Sequence, residues 1–434
     1  MKDLKKNLFL LVLIQLSIQA SFARSYYISM NGSDQHSGLS REQAWASLEK
    51  INTFKFSPGD TIRFRKGDCW YGQLCIQSGG KDRQILYTTY GKGNKPSIFG
   101  SISRNKPSDW QKSSNYLWVS SEPLNKEIGN LLINNADLIG KKKWEKEECS
   151  HDLDFYYKEG TKRLFLYCKE NPAIKYSSIQ CAQNQTIVEL IDVQYTIIED
   201  LHLLNGGGHG IQMIGCSNII VRGCEIEWIG GGKCPGLLQV RYGNAIEIWG
   251  NATNILIERN IISNIYDTAL TNQNHSKEGF QEYITYRNNE CKDCGMYTFE
   301  VWNNGGGNST LKEIIFENNI SINPGQGWGM QRPDQVGFHF NLGNSNAHAE
   351  SIKIINNTMK GGNGILLGHF FQKMIPEWFS AVMIDNNKYL SIGKKGSACW
   401  LFCEGSDIIE LYDKSQFETF RKRYNWDNHS TLIE

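Results

Sequence analysis

Between Tyr195 and Lys388 one seven-residue phrase recurs at least six times, and the rest of the chain has to fit around it. Its clearest form is NILIERN, Asn254 to Asn260. Apolar residues at alternate positions, Ile255 and Ile257, are followed by polar residues and an Asn, the pattern of a half-buried strand that ends in a tight turn. The phrase returns as NIIVRGC from Asn218, YITYRNN from Tyr283, EIIFENN from Glu313, SIKIINN from Ser351 and AVMIDNN from Ala381. Its last residues, Cys224, Asn260, Asn289, Asn319, Asn357 and Asn387, are 36, 29, 30, 38 and 30 residues apart.

An elastic period separates a β-solenoid from a helical array, because coils of short strands accept insertions at their corners while the strands stay in register. The expected fold is therefore all-β, a single-stranded right-handed parallel β-helix. Ile219/Val221, Ile255/Ile257, Ile284/Tyr286, Ile314/Phe316, Ile352/Ile354 and Val382/Ile384 would stack coil on coil as its core. The corner Asn suits a left-handed backbone and local hydrogen bonding, so its column is a structural device.

A second strand follows each corner by about ten residues, in GIQM (Gly210), AIEI (Ala245), ALTN (Ala269), TFEV (Thr298), GMQR (Gly329) and GILL (Gly364). Period-2 alternation turns Ile211, Ile246, Leu270, Phe299, Met330 and Ile365 inward, and Gln212, Glu247, Thr271, Glu300, Gln331 and Leu366 outward. One outer face thus carries two carboxylates, with Trp249, Gln273 and Trp302 two positions further along.

Residues 1–23 read as a secretory signal: Lys2, Lys5 and Lys6, then an apolar run from Leu8 to Leu16, then Ser21-Phe22-Ala23. The apolar run is too short for a membrane span, which gives a secreted or periplasmic protein with no span after cleavage. Residues 24–100 supply an amphipathic capping helix over Arg41–Phe54 and the first coils. Residues 101–181 lack Asn corners and read as a small β-rich insertion; 182–410 are the β-helix. Residues 411–434 close it with a C-terminal capping helix, announced by a capping box at Ser415–Glu418. A formal net charge of +1 argues against nucleic acid or anionic membrane as partner. The 12 Trp and 19 Tyr suit a chain that stacks rings on sugars. Twelve Cys lie beyond the signal, but nearness in sequence does not establish pairing. Cys291-Lys-Asp-Cys294 has no second ligand pair to support zinc.

The segments YYISMNGSD, PGDTIRFRKGDCW and DFYYKEGTKRLFLYCKENP, with the Asn-cornered coils, resemble secreted bacterial right-handed parallel β-helix proteins of the pectin-lyase-like superfamily, particularly those around glycoside hydrolases. The resemblance spans nearly the whole mature chain and implies an oligo- or polysaccharide substrate. The scaffold hosts lyases, hydrolases, epimerases and non-catalytic proteins, so activity has to be read from the site. Gly208-His209-Gly210 is similar to a polygalacturonase motif, yet the paired Asp that should precede it is missing and a plain turn is the preferred reading. No run of Asp marks a calcium site; no cofactor is required, and calcium is left open.

Hydrolysis of a glycoside needs one protonated and one ionised carboxyl across the bond. Glu300 is the candidate proton donor, with Glu247 or Asp267 as base or nucleophile. Trp249, Gln273, His275, Trp302, Arg332, Asp334 and His339 are the candidate substrate-binding residues, and a monomer is expected. A lyase with Arg332 or Lys277 as base, or a non-catalytic glycan-binding protein, are the alternatives. Cleavage after Ala23 is the outcome expected for exported protein; mass spectrometry that finds the intact N-terminus on it would refute the signal assignment.

Overall fold

Ile255 lies opposite Ile219 on one side and Ile284 on the other, and Ile257 lies likewise between Val221 and Tyr286. The same pairing continues through Ile314, Ile352 and Val382, and through Phe316, Ile354 and Ile384. Every one of these contacts is parallel, so each strand pairs with its counterpart one coil away. In this computed structural model, residues 23–303, 308–333, 336–344, 348–367, 376–393, 398–404 and 407–434 are described. They form a parallel β-helix, its coils taking the right-handed sense that twisted parallel strands impose on their crossovers.

Three faces make each coil. One runs from Val188–Ile191 through Leu270–Asn274, Tyr297–Asn303, Phe338–Asn344 and Asn363–Leu367. The second carries the repeated phrase, and the third is a ten-stranded parallel sheet that includes Glu225–Ile229 and Ile261–Ile265. In Ile211–Arg222 and Ile246–Glu258 a single strand bends from the first face to the second, with a register shift between Ile214 and Cys216. The interior is a continuous stack of buried Ile, Val, Phe and Tyr, in which Phe299 and Phe316 lie ring on ring at 4.7 Å.

The corner Asn residues form a buried ladder. Asn260 Nδ2 and its backbone N–H both donate to Asn289 Oδ1, at 2.9 and 3.0 Å. The same double contact links Asn289 to Asn319, Asn319 to Asn357 and Asn357 to Asn387. The ladder residue is not the left-handed one. That backbone belongs to its predecessor: Gly223, Arg259, Asn288, Asn318, Asn356 and Asn386 all have φ between 53° and 63°. The ladder Asn is selected for its amide and its neighbour for the turn.

Three other sequence expectations are corrected. Gly327–Gln331 is a 3₁₀ turn with Met330 exposed, and the strand in that coil is Phe338–Asn344, which puts Asn341 rather than Gln331 beside Glu300. The N-terminal helix is only Leu48–Thr53, capped by Ser47; Trp45 is extended and bridges Ile28. The C-terminal box is Asp413 with Gln416, and the helix Phe417–Tyr424 follows it, stacking Phe417 and Phe420 on Trp400. All twelve cysteines are free thiols, and Cys291 and Cys294 are buried among core residues. The signal segment, apart from Ala23, lies outside the described residues; among those described, no helix is long and apolar enough to cross a membrane.

Residues from Ser101 onward leave the coil as two small sheets: Ser101–Ser103, Ile128–Ile133, Leu138–Ile139 and Ile179–Gln183 in one, and a five-stranded sheet with the Asp154–Lys158/Arg163–Tyr167 hairpin in the other. They have their own core around Leu131, Phe155 and Leu166. The insertion touches the β-helix where Arg241 Nη2 donates to Gly129 O (3.1 Å) and Gln331 Nε2 to Gly140 O (3.0 Å).

Asn319→Gly should lower the thermal midpoint sharply, because it strands the buried Asn289 N–H at a cost of about 1–3 kcal/mol. Asn318→Gly, at a left-handed position, should change stability by no more than about 0.5 kcal/mol in either direction. Equal effects of the two substitutions in thermal unfolding would contradict this division of roles.

Candidate active site

Parallel register makes a column of the outward residues: Gln212, Glu247, Thr271, Glu300, Asn341 and Leu366 follow one another coil by coil. Alternation alone would leave these carboxylates on an open surface. Instead Glu247 is 3% and Glu300 2% exposed, because polar neighbours from the adjacent coils close over them.

The two acids sit in opposite environments. Glu247 accepts hydrogen bonds from Gln212 Nε2 (2.7 Å), Asn244 Nδ2 (3.3 Å) and His209 Nε2 (3.0 Å). His209 Nδ1 in turn accepts the backbone N–H of Asn244 at 3.1 Å. Nε2 is thus the ring nitrogen that donates to Glu247. Burial pushes the Glu247 carboxyl up, but His209, Gln212 and Asn244 outweigh it and hold the group below its ordinary range. Glu300 accepts from Thr271 Oγ1 (2.9 Å), Gln273 Nε2 (2.9 Å) and Asn341 Nδ2 (3.1 Å). Here burial and the nearby charge of Asp267 prevail, and the carboxyl is pushed up to about 7. A carboxylic acid half-protonated near neutrality and a locked carboxylate thus stand two coils, roughly 10 Å of backbone, apart.

Asp267 lies in the turn before Leu270–Asn274, and its Oδ1 is 3.3 Å from Arg332 Nη1. The charge of Asp267 acts on Glu300 and raises its carboxyl. On the other side of the column Trp249, Gln273 and Trp302 are in register, and the exposed His275 ring sits over Trp249 at 4.7 Å and near Trp302 at 6.4 Å. The result is an aromatic shelf beside the acids, of the kind on which a sugar face packs.

His339 does not join this site. It is fully buried, with Nδ1 bonded to Ser321 Oγ (2.5 Å) and Nε2 to Gly361 O (2.8 Å), so both ring nitrogens are used. Its strand, Phe338–Asn344, carries it into the polar seam of a corner. Asp334 lies outside the described residues. Lys277 is exposed on the loop after Asn274. Three residues in contact with the acids, His209, Asn244 and Asn341, were not legible beforehand. His209 is in a turn, as its glycine neighbours indicate, yet its ring reaches Glu247. Asn341 was hidden by the displaced strand, although the run FHFNLGN alternates as a strand should.

Among the described residues no cluster of His, Cys, Asp or Glu fits a metal ion. No family model and no curated protein matches the sequence. Among solved structures the fold is similar to that of XylC in complex with xylose (TM-score 0.49, 11% identity, 89% of this chain and 73% of that one). It is also similar to the GH136 lacto-N-biosidase from Eubacterium ramulus (0.40, 13%, 97% and 69%) and to an alginate lyase from Paenibacillus (0.44, 10%, 82% and 88%). The last two are pectin-lyase-like β-helix proteins, the type the sequence resembles.

The raised Glu300 carboxyl has a consequence for stability. Its folded-state value of about 7 lies above the ordinary 4.5, so the folded protein binds more protons than the unfolded chain between these values. Stability from this group is greatest at low pH and is lost as pH rises through about 7, a change of order a few kcal/mol. Glu300→Gln removes it. The variant should gain on the wild type in urea midpoint between about pH 5 and about pH 8; a gap independent of pH would show that Glu300 is not held protonated.

Proposed function

We propose that the protein is a secreted carbohydrate-active enzyme, a glycoside hydrolase in which Glu300 protonates the departing glycosidic oxygen and Asp267 is the second carboxylate. The observation that carries this reading is the pairing of environments: a buried acid pushed up to about 7 beside a carboxylate ion-paired with Arg332. Divergent environments of this kind separate a general acid from its ionised partner. The shelf of Trp249, His275 and Trp302 supports a sugar substrate, and Gln273, which bonds Glu300, links shelf to acid.

Glu247 is a poor base, since three donors already stabilise its charge. His209 and Glu247 are therefore assigned to fixing a negative charge two coils from the donor. Arg332 is disfavoured as a lyase base because its guanidinium is engaged by Asp267 and does not release a proton near neutrality.

Incubation with a panel of glycans, scored for new reducing ends and for unsaturated products, tests the reading directly. New reducing ends without unsaturation are expected, with the anomeric configuration retained, because Asp267 is one coil from Glu300 and suits the short separation of roughly 5 Å. Inversion would move the base role to Glu247. Glu300→Gln should lose at least about a hundredfold in kcat, and the fall in kcat above about pH 7 should disappear with it. Unsaturated products, or near-normal turnover in a folded Glu300→Gln variant, would overturn the assignment.

A further inference from the structure

Three segments far apart in sequence meet beside Asp267. The insertion brings Lys142 and Trp144. The hairpin Gly232–Lys233/Arg241–Tyr242, which projects between two coils, brings Arg241, and the segment after the 3₁₀ turn brings Arg332. They enclose a cavity of about 340 Å³, within the range of small-ligand sites, whose floor includes Tyr266.

Charge in this cavity does not balance. Lys142, Arg241 and Arg332 line it and, among the described residues, no carboxylate does. Two of the three cations have an acidic partner outside the lining: Lys142 pairs with Glu127, and Arg332 with Asp267. Arg241 has none. Its Nε donates to Gly231 O (2.9 Å), Nη1 to Gln331 Oε1 (3.2 Å) and Nη2 to Gly129 O (3.1 Å), all neutral acceptors. The guanidinium stacks over the Tyr266 ring at 4.3 Å and over Trp328 at 5.7 Å. A buried guanidinium keeps its proton and its charge, and buried charges are ordinarily paired. A second cavity of about 330 Å³ shares Lys142 and Trp144 and adds Lys143, Lys158 and Lys233 against only Glu127 and Glu159, so the positive potential continues away from the reaction centre.

We propose that this junction is a subsite for an acidic sugar of the glycan, its carboxylate or sulfate ester held by Arg241 and Lys142 and its ring resting on Trp144. The subsite rests on the glycan reading above for its link to cleavage, but not for binding. The overall charge of +1 hides it, because the cations are concentrated at one place and offset elsewhere. Trp144 is half-buried with Lys142 Nζ at 5.4 Å from its ring, so one face of the indole is already taken by the cation and the sugar would use the remainder.

Binding to the full-length Glu300→Gln protein, measured by calorimetry, separates recognition from turnover. The probes are an oligogalacturonate, which carries carboxylates only, its carboxyl-reduced neutral counterpart, and a sulfated galactan oligosaccharide, which carries sulfates only. At least one acidic probe should bind about tenfold or more tighter than the neutral one, the scale of a charge-assisted hydrogen bond, and should weaken as salt is added. Which acidic probe binds identifies the anion. Arg241→Gln should abolish the preference; Trp144→Ala, at a half-buried ring, is the variant to use if Arg241→Gln does not fold, and should lower affinity for the acidic probe. Equal binding of acidic and neutral probes, or no binding of either acidic one, overturns the subsite, even if the wild type cleaves a neutral glycan and the hydrolase reading survives. Tight binding of an acidic probe that the wild type leaves intact sustains the subsite and counts against the hydrolase reading.

Discussion

In-register parallel pairing of coil on coil is the constraint on which the rest depends. Once Ile255 is fixed between Ile219 and Ile284, every outward residue of the neighbouring face is fixed as well, because side-chain parity in a strand is strictly two. A slip of one residue would bury Glu247 and Glu300 in the apolar stack and turn Ile246 and Phe299 to the outside. The Asn ladder helps to hold this register. Each amide accepts two N–H groups from the coil below while donating upward, so its geometry is met only when consecutive corners are superposed. Corner and column are thus two readings of one repeat.

Charged and aromatic side chains gather where the repeat is interrupted. The insertion, the hairpin around Lys233 and Arg241, and the 3₁₀ turn before Arg332 all leave the solenoid near the column, and they bring cations and aromatic rings to a face that the coils furnish with acids and amides. The contrast between Glu247 and Glu300 follows from this layering. Both are buried and each accepts three hydrogen bonds, so neither burial nor bond count distinguishes them. A histidine donor beside one and a carboxylate beside the other do. The same loop geometry sets Arg332 against Asp267, tying the cationic junction to the acidic column through one ion pair.

Much of the fold was legible in the sequence because its signal is local and repeated. Six phrases with the same alternation give the same answer six times, and an error in one is exposed by the others. The exception is instructive. GMQR has the right spacing to be a strand, but Gly327 and Gly329 favour a tight turn, and the coil instead uses FHFNLGN nine residues later. The long N-terminal helix expected over Arg41–Phe54 failed for a similar reason: Ala44 and Trp45 have helical spacing, yet Trp45 is held extended by its pairing with Ile28, and Ser47 starts the helix only there.

By itself, then, the sequence determined the solenoid, the inward core, and the shared face of Glu247, Thr271 and Glu300, since all three follow from periods of two residues and of one coil. Only the tertiary structure decided how those acids differ and what surrounds them. That His209 meets Glu247, that Asn341 meets Glu300, that His339 is sealed in a corner, and that Lys142, Arg241 and Arg332 converge are outcomes of where corner insertions fold back. Those paths have no period, and the residues they join lie up to 190 positions apart, from Lys142 to Arg332, so no local pattern could have carried them.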